Sequence, residues 1–153
     1  MYKSILLPID GSQLSLRAAQ HGIELAKALN ARVTVIMVTT PWATQFAREP
    51  AVVVPGVLVP ETEYDLRTEQ AACNCLRVVT DEASRSAGVP SKALHVRHRD
   101  PYVAILDAAR REGCDLIVMA SHGRRGLSGL LLGSETLKVL THGEVPVLVY
   151  RRP

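Results

Sequence analysis

The stretch Ser4-Ile5-Leu6-Leu7-Pro8-Ile9, followed by Asp10-Gly11-Ser12, decides the fold. A short, continuous apolar run is what a strand covered on both faces looks like. Asp-Gly-Ser is a tight turn that feeds a helix cap, because a serine oxygen accepts from the first orphan amides of a helix. Beyond Ser12, the apolar residues Leu16, Ala19, Ile23, Leu25, Ala26 and Leu29 recur at helical spacing. Arg32 to Val38 is then β-branched and almost wholly apolar, a second strand of the same kind. Two such strands flanking one helix make a βαβ unit, whose crossover is right-handed and whose strands are parallel.

Outward from this unit the alternation continues. Residues 39–61 hold four of the nine prolines (Pro41, Pro50, Pro55, Pro60) together with Trp42 and Phe46. They read as a long proline-rich loop, of the length that often serves as a lid. Thr62 to Ala87 reads as a long amphipathic helix closed by Gly88 and Pro90. Ala93 to Arg99 is a moderate strand, and Asp100-Pro101 opens a helix with an acidic cap and proline at its first position, ending at Gly113. Asp115-Leu-Ile-Val-Met-Ala120 is the clearest buried strand, and Val145 to Tyr150 is a second run of that kind. The segment between them is rich in glycine and turns helical from about Ser134. This order predicts an α/β doubly wound sheet of five parallel strands with helices on both faces, a single domain over residues 1–153. Ligands of such sheets sit outside the carboxyl ends of the strands, where the strand order reverses.

Composition narrows the function classes. A length of 153 residues is one domain's worth, and 47% hydrophobic with 22% charged residues can bury a core and excludes a largely disordered chain. Only six aromatic residues are present, too few for a stacking platform for single-stranded nucleic acid. The net charge of +3, from 18 basic and 15 acidic residues, describes no duplex-binding surface, so no nucleic-acid partner is expected. The longest apolar stretch, Ala51 to Pro60, is broken by prolines and far shorter than the ~20 residues of a membrane helix. Together with an opening apolar run too short for a secretory signal, this makes a membrane partner unexpected. Three cysteines cannot complete a disulfide framework and point to a reducing compartment, so a cytoplasmic protein is expected. Cys73 and Cys75 fall on different faces of their helix, and His95 and His98 on opposite sides of theirs, a strand, so no metal site is expected.

The chemistry gathers in Ser121-His-Gly-Arg-Arg-Gly-Leu-Ser-Gly-Leu-Leu-Leu-Gly-Ser134. Gly123, Gly126, Gly129 and Gly133 follow the best strand and precede a helix, where glycines bring backbone amides to a ligand and the helix start offers free N–H groups. That is a cradle for an anion, most naturally phosphate, with Arg124 and Arg125 adding charge. The other reading of the same residues is a loop capped by Ser134 with Leu130 to Leu132 in the core. No Walker sequence is present, and Asp-Gly-Ser replaces the glycine fingerprint of dinucleotide folds after the first strand. The expected output is therefore binding without catalysis, and no residue is assigned a catalytic role. His122 can assist phosphate binding, but no serine or cysteine partner that would make it a base is visible. Asp10 at the end of the first strand can accept from a ribose hydroxyl or an adenine amino group, or it can cap its own turn. The sequence leaves both roles open.

The opening Ile-Leu-Leu-Pro-Ile-Asp-Gly-Ser, Asp115-Leu-Ile-Val-Met, Ser-His-Gly-Arg-Arg-Gly, Leu-Leu-Gly-Ser and Val-Pro-Val-Leu-Val together resemble the universal stress protein family along essentially the whole chain. The resemblance implies an adenine nucleotide alpha hydrolase-like fold with strand order 3-2-1-4-5. It also implies ATP or AMP as the bound ligand, with Mg as an optional companion, and a homodimer formed by antiparallel pairing of the edge strand 145–150. The family's Gly-x2-Gly-x9-Gly-[Ser/Thr] motif falls on Ala120, Gly123, Gly133 and Ser134, with Ala120 departing from the first glycine. The methyl of Ala120 is expected to weaken binding without abolishing it. By the resemblance, Pro8, Asp10 and Val38 surround adenine and ribose. Met119, Ala120 and Gly123 touch ribose and phosphate; Arg124, Gly126, Gly133, Ser134 and Glu135 line the phosphates. Glu135 repels them unless it turns away or holds a metal ion, and Gly133→Glu is expected to abolish binding with the fold intact. Two rival readings remain, a family member without nucleotide that acts as a dimeric interaction module, and a slow ATPase.

Overall fold

Five strands, β1 (Ser4–Ile9), β2 (Arg32–Thr39), β3 (Ser91–Arg97), β4 (Leu116–Ala120) and β5 (Val147–Tyr150), run parallel in the order β3-β2-β1-β4-β5. They are seen in a computed structural model that describes residues 1–48, 60–122 and 132–151. The strand order reverses between β1 and β4, because β1 connects to β2 on one side and β4 to β5 on the other. Among the described residues, five α-helices accompany the sheet: α1 (Gln13–Leu29), α2 (Trp42–Arg48), α3 (Glu61–Asp81), α4 (Pro101–Arg111) and α5 (Ser134–His142).

The central strands β1, β2 and β4 are buried on both faces, and the period of two divides their side chains between two cores. Ile5, Leu7, Ile9, Val33, Val35, Met37, Leu116 and Val118 pack with Ala19, Ile23 and Ala26 of α1 and Ala72, Leu76 and Val79 of α3. Leu6, Ile36, Ile117 and Met119 pack on the other face with Ile105, Ala108 and Ala109 of α4 and Val139 of α5. Each such fully buried aliphatic side chain stabilises the fold by ~1.5–3 kcal/mol over leaving it in water.

The helix ends follow their local chemistry. Ser12 Oγ accepts from Ser15 N at 3.2 Å, as the Asp-Gly-Ser reading requires, and Asn30 closes α1 in the left-handed region at φ 52°. α3 does not stop at Asp81 but runs on as a wider π-helical turn over Glu82–Ser86, in which Ala87 N donates to Glu82 O. β3 lies two residues earlier than the reading of 93–99, which leaves His98 just beyond the strand.

Two expectations are corrected. The proline-rich segment 39–61 is not wholly a loop: α2 occupies Trp42–Arg48, seeded by Pro41, whose carbonyl accepts from Thr44 N and Gln45 N. The residues between Pro41 and Pro50 contain neither proline nor glycine, so the short run is free to coil. The residues 49–59 that the lid reading also covers lie outside those described. The second correction is at α4, where Pro101 takes the first position as expected but the Asp100 side chain makes no capping bond. The Tyr102 amide donates instead to Glu135 Oε2 of α5, at 2.9 Å.

At the amino edge of the sheet, Asp115 ties β1 to β4: its two oxygens accept from Lys3 N at 2.8 Å and Ser4 N at 3.0 Å. Partial burial pushes its pKa up, but the N–H donors of Ser4 and Lys3 outweigh it and hold the carboxyl below its ordinary value. A lowered folded-state pKa contributes stability that is complete above the unfolded value and is lost as pH falls through the folded one. Urea unfolding measured from pH 6 downward is therefore expected to show wild type losing stability below roughly pH 4 more steeply than Asp115→Asn. Equal slopes overturn this reading. Nearby, Cys114 is buried, and burial raises its thiol pKa against hydrogen bonds from Ser4 and Thr34; Cys73 is exposed and Cys75 half-buried, and all three are free thiols.

Candidate functional site

Register and alternation bring the residues at the strand ends onto one face. β1 pairs with β2 as Pro8 with Ile36 and Ile9 with Met37, which sets Asp10 level with Val38. β1 pairs with β4 as Leu6 with Ile117, so Pro8 comes level with Met119. Leu6, Ile36, Val38, Ile117 and Met119 belong to the core on the α4/α5 side. By the same period of two, Pro8 and Asp10 lie on that side as well. Pro8, Val38 and Met119 thus form an apolar floor at the carboxyl edge, spanning the point where strand order reverses, with Asp10 at its rim.

Asp10 Oδ1 accepts from Ser12 N at 2.9 Å, and Asp10 N donates to Ser15 Oγ at 3.2 Å. The turn-capping role is therefore realised, and it holds the carboxylate at the end of β1. Ala120 is 6% exposed, and alternation along β4 sends its methyl to the α1 side, while the neighbouring Met119 faces α5. The methyl that replaces the motif's first glycine consequently points away from the head of α5.

That head is built by close backbone contact. Gly133 N donates to Ser121 O at 2.7 Å, and Thr136 Oγ1, fully within the protein, donates to Ala120 O at 2.9 Å. A Cβ added at Gly133 would meet His122 Cα at 3.0 Å and Ser121 O at 3.3 Å. A side chain at 133 therefore needs these backbone atoms to give by a few tenths of an ångström, so a glutamate there is expected to disturb the head of α5 as well as any ligand. Gly133 caps α5 and Ser134 is its first residue, so Ser134 does not cap by its side chain. The free amides of this first turn point into the carboxyl edge, where they suit an anion.

Glu135 does not face that space with its carboxylate. Oε2 accepts from Tyr102 N at 2.9 Å, and Oε1 pairs with Lys138 Nζ at 3.1 Å. His122 has the hydroxyl partner that the sequence did not reveal: Ser121 Oγ and His122 Nδ1 are 3.1 Å apart. A cavity of about 160 Å³ opens beside it on the α1 side, lined by Gln13, Leu14, Arg17 and His122. Gly123, Arg124 and Gly126, with Arg125, Gly129 and Leu130, lie outside the described residues. Leu132, a core residue in the alternative loop reading, is exposed. Sequence reasoning missed Thr136, Tyr102 and Lys138, which meet Ala120, Glu135 and the Tyr102 ring, partners 16 to 36 positions away that the packing of α5 on β4 and α4 brings near.

His95 and His98 are separately engaged, His95 Nε2 with Thr39 Oγ1 at 2.9 Å and His98 Nδ1 with Asp100 N at 3.0 Å. Among the described residues, no three His, Cys, Asp or Glu side chains gather as a metal site. None of the described helices is long and apolar enough to cross a membrane.

The fold is that of an open, doubly wound α/β protein whose strand order reverses between β1 and β4, the place where sheets of this kind bind ligands. The model of the universal stress protein family matches residues 1–151. A universal stress protein of Thermus aquaticus is 35% identical over 151 residues, covering 99% of this chain and all of that one. Among solved structures, MJ0577 of Methanocaldococcus jannaschii superposes with a TM-score of 0.77 at 29% identity, covering 100% of this chain and 98% of that one. A universal stress protein in complex with cAMP gives 0.65 at 23% identity, over 98% of this chain and 97% of the other. One from Archaeoglobus fulgidus in complex with dAMP gives 0.62 at 18%, over 98% of each. The chain belongs to the universal stress protein family.

Proposed function

We propose that the protein is an adenine-nucleotide-binding module of the cytoplasmic stress response, acting as a homodimer whose occupancy, rather than turnover, is its output. The observation that carries the reading is the meeting of an apolar floor (Pro8, Val38, Met119), a fixed carboxylate (Asp10) and the amide-bearing head of α5 (Gly133, Ser134) at one switch point. A purine fits the floor, a ribose hydroxyl suits Asp10, and the phosphates suit the amides. The cAMP and dAMP held by the two structural neighbours support an adenine nucleotide as the ligand. ATP and AMP both fit this division of roles, and Mg would accompany the phosphates rather than a ligand cluster of the protein.

Purified protein is expected to release an adenine nucleotide on denaturation, and the emptied protein to give binding heat with AMP or ATP. Nucleotide-free preparations that also give no heat at millimolar ligand overturn the reading. The departure from the motif's first glycine at Ala120 is the sequence feature behind the rival of a dimeric interaction module without nucleotide, which predicts no shift in Tm on adding ATP. Hydrolysis is not part of the proposed output, and phosphate release that vanishes on substituting Gly133 would establish it.

A further inference from the structure

Glu135 carries a negative charge in the first turn of the helix that is to receive phosphate, where a free carboxylate would compete for the same positive helix end. Its surroundings give the charge another use. Pro101 has no N–H, the Asp100 side chain does not cap α4, and the Asp100 amide goes to His98 Nδ1. The next amide of α4, that of Tyr102, is met by Glu135 Oε2 from 33 residues further along the chain. Lys138 holds the other oxygen, and its ammonium stands 5.2 Å from the centre of the Tyr102 ring, which in turn lies 5.5 Å from the His142 ring. One cluster thus clamps the heads of α4 and α5 together, with the carboxylate satisfied by an amide and an ammonium.

Among the described residues, three hydrogen bonds tie the head of α5: Gly133 N to Ser121 O, Thr136 Oγ1 to Ala120 O, and Tyr102 N of α4 to Glu135 Oε2. The first two fasten it to the end of β4, and the third, beside Lys138 over the Tyr102 ring, fastens it across to the neighbouring helix. We infer that Glu135 is a positioning residue for the phosphate group: through Tyr102 N it aims the first amides of α5, so preference for phosphorylated over unphosphorylated adenosine depends on its reach and not on its charge. The inference rests on the nucleotide-binding reading above and assigns Glu135 no contact with the ligand.

Calorimetry of AMP and adenosine with wild type, Glu135→Gln, Glu135→Asp and Glu135→Ala separates reach from charge. Glutamine keeps the length and an acceptor for Tyr102 N without the charge; aspartate keeps the charge without the reach. Glu135→Gln is expected to stay within about threefold of wild type for both ligands. Glu135→Asp and Glu135→Ala are expected to weaken AMP about tenfold or more and leave adenosine within about threefold. The Tyr102 amide resonance should move in the aspartate and alanine variants and stay near its wild-type position in the glutamine variant. Aspartate behaving as wild type, glutamine tightening AMP, or AMP and adenosine weakening equally overturns the inference while leaving nucleotide binding intact. Wild type that binds neither ligand overturns the nucleotide reading itself, and this inference with it. Should the alanine variant fail to fold, the aspartate variant decides.

Discussion

Gly133→Ala is expected to lower both the stability of the protein and its affinity for adenine nucleotide. The backbone at 133 is extended, so the cost does not come from dihedral strain. It comes from space: the new Cβ meets the Cα of His122 at 3.0 Å, a backbone atom that can yield only if the end of β4 or the head of α5 shifts. Overpacking of this kind costs ~1–3 kcal/mol. Any shift also lengthens the 2.7 Å bond from Gly133 N to Ser121 O and re-aims the first amides of α5. Urea unfolding should show the stability loss, and calorimetry with AMP should show a Kd about tenfold or more higher, ~1.4 kcal/mol of binding energy. A variant that is destabilised but binds AMP as wild type does would separate the head of α5 from the ligand and sink its proposed role. Glutamate at this position, which adds the same Cβ and a charge, cannot report on binding alone.

The sheet was legible because four of its strands are short apolar runs bounded by turn residues, β3 (Ser91–Arg97) being the polar exception, and because no pair of strands is joined by a hairpin. Ser4 to Ile9, Arg32 to Thr39 and Leu116 to Ala120 are buried on both faces, and such strands announce themselves as unbroken aliphatic runs. The strand order 3-2-1-4-5 was less a reading of residues than an implication of the family resemblance, and the parallel ladder carries it. What escaped was local. α2 is seven residues long in a proline-rich segment, too short for helical periodicity to stand out against its flanks. The capping of α4 could not be read at all, since Asp100-Pro101 has the right residues in the right order and the carboxylate that meets Tyr102 belongs to α5.

The site divides in the same way. Pro8, Asp10, Val38, Met119 and Gly133 could be named because strand ends and glycines mark themselves in a sequence; the register puts the first four on one face, and the bond from Gly133 N to Ser121 O puts the fifth at the same edge. The direction of a side chain at such an edge depends on alternation in the assembled sheet. Ala120 illustrates this: as a letter in a motif it is a methyl where glycine belongs, whereas in the sheet its methyl faces α1. Glu135 illustrates the converse, a residue whose expected place beside a phosphate followed from its number and whose carboxylate is engaged with Tyr102 N and Lys138.

Val149→Pro is expected to convert a dimer into monomers while leaving the monomer's stability nearly unchanged. The main-chain geometry of β5 gives the reason. Ile117 N donates to Pro146 O and Ser121 N to Tyr150 O, so the even-numbered peptide groups of β5 face β4. The backbone groups of Val147 and Val149 then point away from the sheet, forming the row by which a second copy can add its own β5. All four residues of β5 are only half-buried, and on the adjoining α5 Leu137 is 53% and Leu140 39% exposed, apolar surface that such pairing would cover. Proline at 149 removes an outward donor and none that serves β4. Across a two-fold axis the loss occurs twice, and an acceptor left unpaired in a buried interface costs ~1–3 kcal/mol each time. The dimer Kd should therefore rise about a hundredfold, read by sedimentation over a concentration series. Leu148→Pro provides the contrast, since its amide lies on the β4 side, and it should lower the unfolding midpoint of the monomer itself. If Val149→Pro sediments as a dimer with the wild-type Kd, β5 is not the dimer strand; if wild type is already monomeric, the homodimer is wrong.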